Sequence, residues 1–184
     1  MALILDLCGG TGSWSRPYRD AGYEVINVTW PEMDVRGFEV PLQEVHGILA
    51  APPCTEFSVS GARWWAGKSP ELLVEALEVV DACMTIIETL KPRWWALENP
   101  VGRLRGLRRE RLGEPRLIFN PCDYGDPWTK KTLLWGNFNK LERSPVPGKE
   151  YWGWRMLGGK SERTKRLRSI TPPGFARAFF EANP

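Results

Sequence analysis

At 184 residues, with 42% hydrophobic and 26% charged side chains, the chain suits one globular domain able to bury a core without disulfide staples. No apolar run approaches a membrane span and the opening MALILDLCGG runs straight into a buried-strand pattern, so no membrane partner and a reducing, cytoplasmic setting are expected. Four cysteines (Cys8, Cys54, Cys83, Cys122) without paired spacing, and a single histidine, His46, predict no metal site and leave serine–histidine chemistry only His46 to use.

In chain order, strand-like apolar runs alternate with helical segments, the pattern of an α/β fold with a mostly parallel sheet and helices on both faces. Leu3 to Leu7 reads as a buried strand ending in the turn CGGTGS. Trp14 to Ala21 can form a helix, with Gly22 at its C-terminal cap, and Glu24 to Val28 is a second strand. Gly47 to Ala51 is a third, broken by Pro52 and Pro53. Pro70 to Leu90 carries apolar residues at helical spacing between two prolines, and Cys83 lies on that stripe as a core residue. Trp94 to Leu97 is the next strand, ending at Glu98-Asn99-Pro100. Leu117 to Phe119 and Thr132 to Trp135 read as short strands flanking a loop from Tyr124 to Lys131, and Pro173 to Asn183 as a final amphipathic helix. Residues 144–160, rich in Pro, Gly and Trp, read as an irregular connection within a single domain spanning 1–184.

In an open parallel sheet, ligands settle at the carboxyl ends of strands near the first strand–turn–helix, the place occupied by Asp6-Leu7-Cys8-Gly9-Gly10-Thr11-Gly12. Such a turn serves a dinucleotide, a phosphate or S-adenosylmethionine, or is a plain tight turn. At the next strand end, Trp30 either stacks on an adenine or is core, and Asp34 either accepts from the adenine amino group or caps a turn. Cys54 leaves a strand in the proline-framed loop APPCTEFS, where a nucleophile would be presented; the alternative is an inert core thiol. Glu98 reaches the same rim one strand later, and a carboxyl among tryptophans is expected to have a raised pKa. Two basic clusters, Arg103 to Arg116 and Lys160 to Arg168, suit a polyanion or are solvated helix faces.

Together these segments resemble the DNA cytosine-5 methyltransferase family over almost the whole chain, in the family's usual order. LDLCGGTGS looks like its cofactor motif, APPCTEFS its nucleophile motif and LENPVGR its Glu-Asn motif. DYGDPWTKKTLLWGN is similar to the base-contacting motif, and SITPPGFARAF to the closing motif. The resemblance implies a Rossmann-like fold that binds S-adenosylmethionine. Its implied cofactor pocket comprises Asp6, Cys8, Gly9, Gly10, Thr11, Gly12, Ser13, Trp14, Trp30, Asp34, Val35, Pro53, Thr171 and Pro172. It assigns Cys54 to attack C6 of cytosine and Glu98 to act at N3, with Asn99 holding Glu98 and the loop in place and Lys130 or Lys131 standing in for a base-contacting arginine.

This chain departs from the family's pattern in four places. Thr29 stands where an acidic residue normally grips the ribose, with Glu32 a candidate to compensate, and Cys8 replaces an aromatic. Lysines replace arginine, and only residues 132–159 separate the lysine motif from the closing basic stretch, where full-size members hold a target-recognition domain. DNA is the expected partner, duplex or single-stranded, with site preference absent, very short or supplied by a specificity subunit. The alternatives are a free cytidine nucleotide or a catalytically silent binding module. A continuous basic groove running past Cys54 favours DNA, and a closed pocket with one or two arginines favours a nucleotide. Small free-standing members of this kind resemble phage or bacterial proteins.

Overall fold

The computed structural model describes residues 2–148 and 161–184. Six strands form one sheet: β1 (Leu3–Leu7), β2 (Glu24–Val28), β3 (Val45–Ala50), β4 (Trp94–Pro100), β5 (Leu117–Phe119) and β6 (Thr132–Asn137), in the spatial order β2-β1-β3-β4-β6-β5. The first four run parallel, whereas β6 is antiparallel to both of its neighbours. The chain steps from β1 out to β2, then back across β1 to β3. That reversal opens a crevice at the carboxyl end of β1.

The period-two alternation of strand side chains sorts the core into two halves. Leu3, Leu5 and Leu7 turn to one face with Ile48, Ala50 and Leu97, and there they meet α2 (Pro70–Leu90) through Val80, Cys83, Ile86 and Ile87. Ile4, Leu49, Ala96 and Leu134 turn to the other face. That face is covered by Trp14, by Tyr18 of α1 (Arg16–Asp20) and by Phe175 and Phe179 of the last helix, α6 (Pro173–Ala182). The layered α/β architecture therefore follows from the alternating apolar runs.

Helix α2 matches its sequence pattern end to end. Pro70 opens it, Glu71 sits in the first turn where the helix dipole favours an acid, and Lys91 closes it in the left-handed conformation at φ 47°. Other boundaries differ from the sequence expectation. Helix α1 has only five residues, because Trp14 and Ser15 belong to the turn that precedes it. Strand β3 starts two residues early, at Val45, and ends one early, at Ala50. Strand β4 continues through Pro100, since Glu98, Asn99 and Pro100 pair with Leu134, Leu133 and Thr132 of the antiparallel neighbour. The arginine-rich stretch forms two single-turn helices, α3 (Leu104–Leu107) and α4 (Arg109–Leu112), and the second basic cluster forms α5 (Glu162–Ser169). Residues 144–148 of the irregular connection are extended coil; 149–160, with Lys160, lie outside the described residues.

Pairing of both Pro100 and Phe119 with Thr132 puts the 120–131 loop at the carboxyl end of β4, on the rim carrying the turns after β1 and β3. His46 is at the opposite end, near the start of β3, with Nε2 2.8 Å from the Pro184 carbonyl oxygen. Serine–histidine chemistry on that rim is thereby excluded among the described residues.

Phe175 is fully buried, stacked on Phe119 at 4.1 Å and tilted against Trp14 at 5.8 Å, so it ties α6 to the sheet and to the turn after β1. Phe175→Ala is expected to lower unfolding stability by about 3–5 kcal/mol in urea titrations. A loss below about 1 kcal/mol would mean that α6 contributes little to the core.

Candidate active site

The turn after β1 is shaped by residues that only glycine can replace. A Cβ on Gly9 would lie 2.3 Å from Asn27 Oδ1 and 2.4 Å from Asp6 Cγ, so the backbone passes directly over two polar side chains. Gly10 and Gly12 adopt φ of 53° and 67°, and Cys8 shares that left-handed conformation at 57°. The turn is held from β2 and just beyond it: Gly10 N donates to Thr29 Oγ1 at 3.1 Å, and Asn27 Nδ2 donates to the Gly10 carbonyl at 3.1 Å. It is held from the closing segment by Thr171 N, which donates to Ser13 Oγ at 2.8 Å. Thr29, which departs from the family's acid, is thus engaged in fixing the turn.

Below the turn, Asp6 is fully buried and Ser15 Oγ donates to its Oδ2 at 2.5 Å. Burial, opposed by that hydrogen bond and by Arg19, pushes the Asp6 carboxyl up to about 6. Asp6 Oδ1 and Asn27 Oδ1 are buried without a hydrogen-bond donor, packed directly beneath Gly9, which leaves no room for a Cβ. Trp30, 74% exposed just beyond β2, offers an aromatic face on the same side. Asp34 caps the short 3-10 turn Val35–Gly37, accepting from Arg36 N at 2.9 Å and pairing with the Arg36 guanidinium at 2.6 Å. Val35 is buried, and Cys8 Sγ lies 3.9 Å from the buried Cys83 Sγ beneath the turn.

Half-buried Cys54 follows exposed Pro53. The Cys54 carbonyl accepts from Phe57 N at 3.0 Å and Ser58 N at 2.9 Å, folding residues 54–58 into a tight turn. This turn is fastened to the chain leaving β4. Asn99 Nδ2 donates to the Pro52 carbonyl at 3.0 Å, Arg103 N to the Phe57 carbonyl at 2.9 Å, and Val59 N to the Val101 carbonyl at 3.0 Å. A Cβ on Gly102 would sit 1.9 Å from the Phe57 carbonyl oxygen, so the two backbones touch. Lys68 Nζ reaches the Glu56 carboxylate at 2.7 Å and the Thr55 carbonyl at 3.1 Å, and Arg103 Nε donates to the Glu56 carbonyl at 2.7 Å. Asn99 thus holds the Cys54 loop directly, through the Pro52 carbonyl.

One strand over, burial raises the pKa of the Glu98 carboxyl, opposed by Lys130, whose Nζ lies 3.9 Å from Oε1. Lys130 is half-buried and Lys131 exposed. Asp126, from the same loop as the lysines, accepts from Gly174 N at 3.0 Å at the start of α6, and Gly174 leaves no room for a Cβ against the Tyr124 carbonyl. The loop thus joins the closing segment that also grips Ser13. Asn27, Ser15, Gly102, Lys68 and Asp126 were not among the sequence-predicted site residues. A polar residue such as Asn27 inside an otherwise apolar strand was a usable signal.

The arginine cluster divides in two. Arg108 and Arg111 are bound to Asp81 and Glu88 of α2, and Arg116 lies over Phe138, so these are structural. Arg103, Arg105 and Arg109 line a groove beside the Cys54 turn. Of the tryptophans, only Trp30 and Trp64 are exposed among the described residues. The remaining described ones are buried or half-buried, because the sheet faces and the Arg103 guanidinium, 4.4 Å over Trp65, claim several of them.

No family model matches the chain. It is 23% identical over 208 aligned positions to the type II methyltransferase M.DdeI of Desulfomicrobium norvegicum, an alignment covering 92% of this chain and 43% of that protein. The chain is thus similar, at low identity, to a DNA methyltransferase. The fold agrees: a structure described as a DNA modification methyltransferase encoded within an E. coli prophage superposes with a TM-score of 0.55 at 17% identity. That match covers 88% of this chain and 56% of the other. The chain thus spans about half the length of the relatives it matches. The described fold is a Rossmann-like methyltransferase fold. Among the described residues no helix is long and apolar enough to cross a membrane, and no cluster of His, Cys, Asp or Glu has a metal-binding arrangement.

Asp6 gives this site a pH signature. Its folded pKa lies above its ordinary value of 3.8, so between about pH 4 and 6 the folded state binds a proton that the unfolded state has released. Stability from this group therefore falls as pH rises through that window, by about 3 kcal/mol when complete. Chemical denaturation of wild type and Asp6→Asn across pH 3.5–7 should show the wild type losing ground only within the window. A pH-independent difference would assign Asp6 an ordinary pKa.

Proposed function

We propose that this chain transfers a methyl group from S-adenosylmethionine to C5 of cytosine in DNA through a covalent Cys54 adduct assisted by Glu98. The observation that carries this reading is the fastening of the Cys54 turn to the strand that bears Glu98, with Asn99 bonded to Pro52 across the gap. In this reading the thiol acts beside a carboxyl whose pKa burial raises, at the ligand rim of the fold.

Cytosine C5 is a poor nucleophile until a bond forms at C6. Cys54, as thiolate, adds to C6; the C5–C6 π electrons shift into the ring, and Glu98 delivers a proton to N3 as charge builds there. C5 becomes electron-rich enough to take the methyl group of S-adenosylmethionine, which would leave as S-adenosylhomocysteine. The C5 proton then passes to water, the C5–C6 double bond re-forms, Cys54 leaves as thiolate and the N3 proton returns to Glu98. The raised pKa of Glu98 keeps the proton available at higher pH, and Lys130 beside it limits that rise. Lys130 and Lys131 would supply the base-contacting cation. In duplex DNA the target must leave the stack, which costs a few kcal/mol.

S-adenosylmethionine supplies the electrophilic methyl group when bound. The residues that would hold it are Asp6, Cys8–Trp14, Trp30, Asp34, Val35, Pro53, Thr171 and Pro172. Within that set, Trp30 would stack on adenine, and Asp34 would meet the adenine amino group with Arg36 fixing its direction. The arginine-lined groove beside the Cys54 turn favours DNA over a free nucleotide.

Methyl transfer from labelled S-adenosylmethionine to duplex DNA, single-stranded DNA and free cytidine nucleotides is expected to label DNA. The signal should vanish in Cys54→Ala and fall by about 10²–10⁴ in Glu98→Gln. Full activity in Cys54→Ala would overturn the covalent mechanism, and label confined to nucleotides would overturn the substrate. Trp30→Ala is expected to raise the Kd for S-adenosylmethionine about tenfold in calorimetry, given what one aromatic stacking face contributes. An unchanged Kd would remove Trp30 from the pocket.

A further inference from the structure

The geometry points to Arg105 and Arg109 as a clamp for a phosphate of the DNA backbone, held in register by an internal carboxylate, Glu114, that a phosphate displaces. The inference rests on the reading of DNA as substrate and names the surface that grips it.

The two arginines sit on consecutive single-turn helices, α3 and α4, and both turn toward one acid. Arg105 Nε donates to Glu114 Oε2 at 3.0 Å with Nη2 on the same oxygen, while Arg109 Nη2 lies 3.3 Å from Oε1. Two guanidinium groups thus converge on a single oxyanion, one on each of its oxygens, which is the arrangement a phosphodiester requires. All three side chains are open to water, at 49%, 73% and 51% exposure. An exposed pair of this kind contributes little stability and is readily exchanged for another anion. The neighbouring arginines Arg108 and Arg111 are instead committed to Asp81 and Glu88 of α2, so the clamp is a distinct half of the cluster.

The groove floor gives a backbone room to lie down. Gly106 belongs to it, and a Cβ there would meet nothing within 4 Å. At its inner end stands Arg103, whose Nε is on the Glu56 carbonyl two residues from Cys54. Gly102 and Arg103, both lining the groove, contact the Cys54 turn at Phe57 and Glu56, so a strand whose cytosine lay at Cys54 would run toward α3 and α4. A charged, open groove of this form grips the backbone without reading sequence.

The test is fluorescence anisotropy with a labelled cytosine-containing oligonucleotide, titrated at several salt concentrations with the wild type and two variants. Arg105→Gln/Arg109→Gln should weaken binding and flatten the slope of log K against log salt by about 2, one for each cation removed. Glu114→Gln should do the opposite, tightening binding because the clamp no longer has an internal competitor. These opposed directions separate the clamp from a folding defect, which would weaken both variants. Unchanged affinity and slope in the double variant, or weaker binding in Glu114→Gln, would overturn the clamp. If the wild type still methylates DNA in a Cys54-dependent manner, such a result leaves the DNA reading standing. A wild type that neither binds nor methylates DNA would overturn both.

Discussion

The site depends on one constraint: the Cys54 turn is bonded to the strand beside it. Asn99 reaches from β4 to the Pro52 carbonyl, and the backbone at Gly102 lies so close to Phe57 that no side chain fits between them. Buried polar groups must find partners, and Asn99, fully buried, finds one in the loop whose position matters most. Prolines at 52 and 53 remove two backbone donors and fix two φ angles, so the loop has few conformations to lose when it docks. Cys54 and Glu98 are thereby set on one rim by the same hydrogen bond.

The ligand side of the rim is built on a similar economy of contacts. Thr29 and Asn27 grip both polar groups of Gly10, and Ser13 accepts from Thr171, more than a hundred residues later in the chain. Asp126 caps the last helix from the lysine-bearing loop. Four separate stretches of sequence are stitched around one crevice, each through a short polar contact backed by an apolar anchor such as Trp14 or Phe175. Such preorganisation lowers the entropy that binding would otherwise lose.

Much of this was legible in the sequence where physics acts locally. The prolines and apolar spacing of α2 fixed its ends to the residue, and the strands of the buried sheet showed as continuous apolar runs. The extension of β4 through Glu98 and Asn99 was not legible, because it comes from pairing with β6, a partner thirty-odd positions away. The arginine cluster was ambiguous for the same reason: α2 claims Arg108 and Arg111 through Asp81 and Glu88, and charge counting along the chain is blind to that. Asp34 offered two readings, and its bond to Arg36 shows the capping one in the structure. Thr29, noted as a departure from the family's acid, turned out to have a local partner in the very turn it borders.

The central claim is a carbon–sulfur bond between Cys54 and cytosine C6. It is tested most directly with DNA carrying 5-fluorocytosine, because fluorine cannot leave C5 as a proton does, so the adduct cannot resolve once C5 is methylated. Incubation with S-adenosylmethionine should yield a complex that survives denaturing electrophoresis and whose peptide mass places the DNA on Cys54. An adduct on another residue, or none from protein that methylates unsubstituted DNA, would contradict the mechanism.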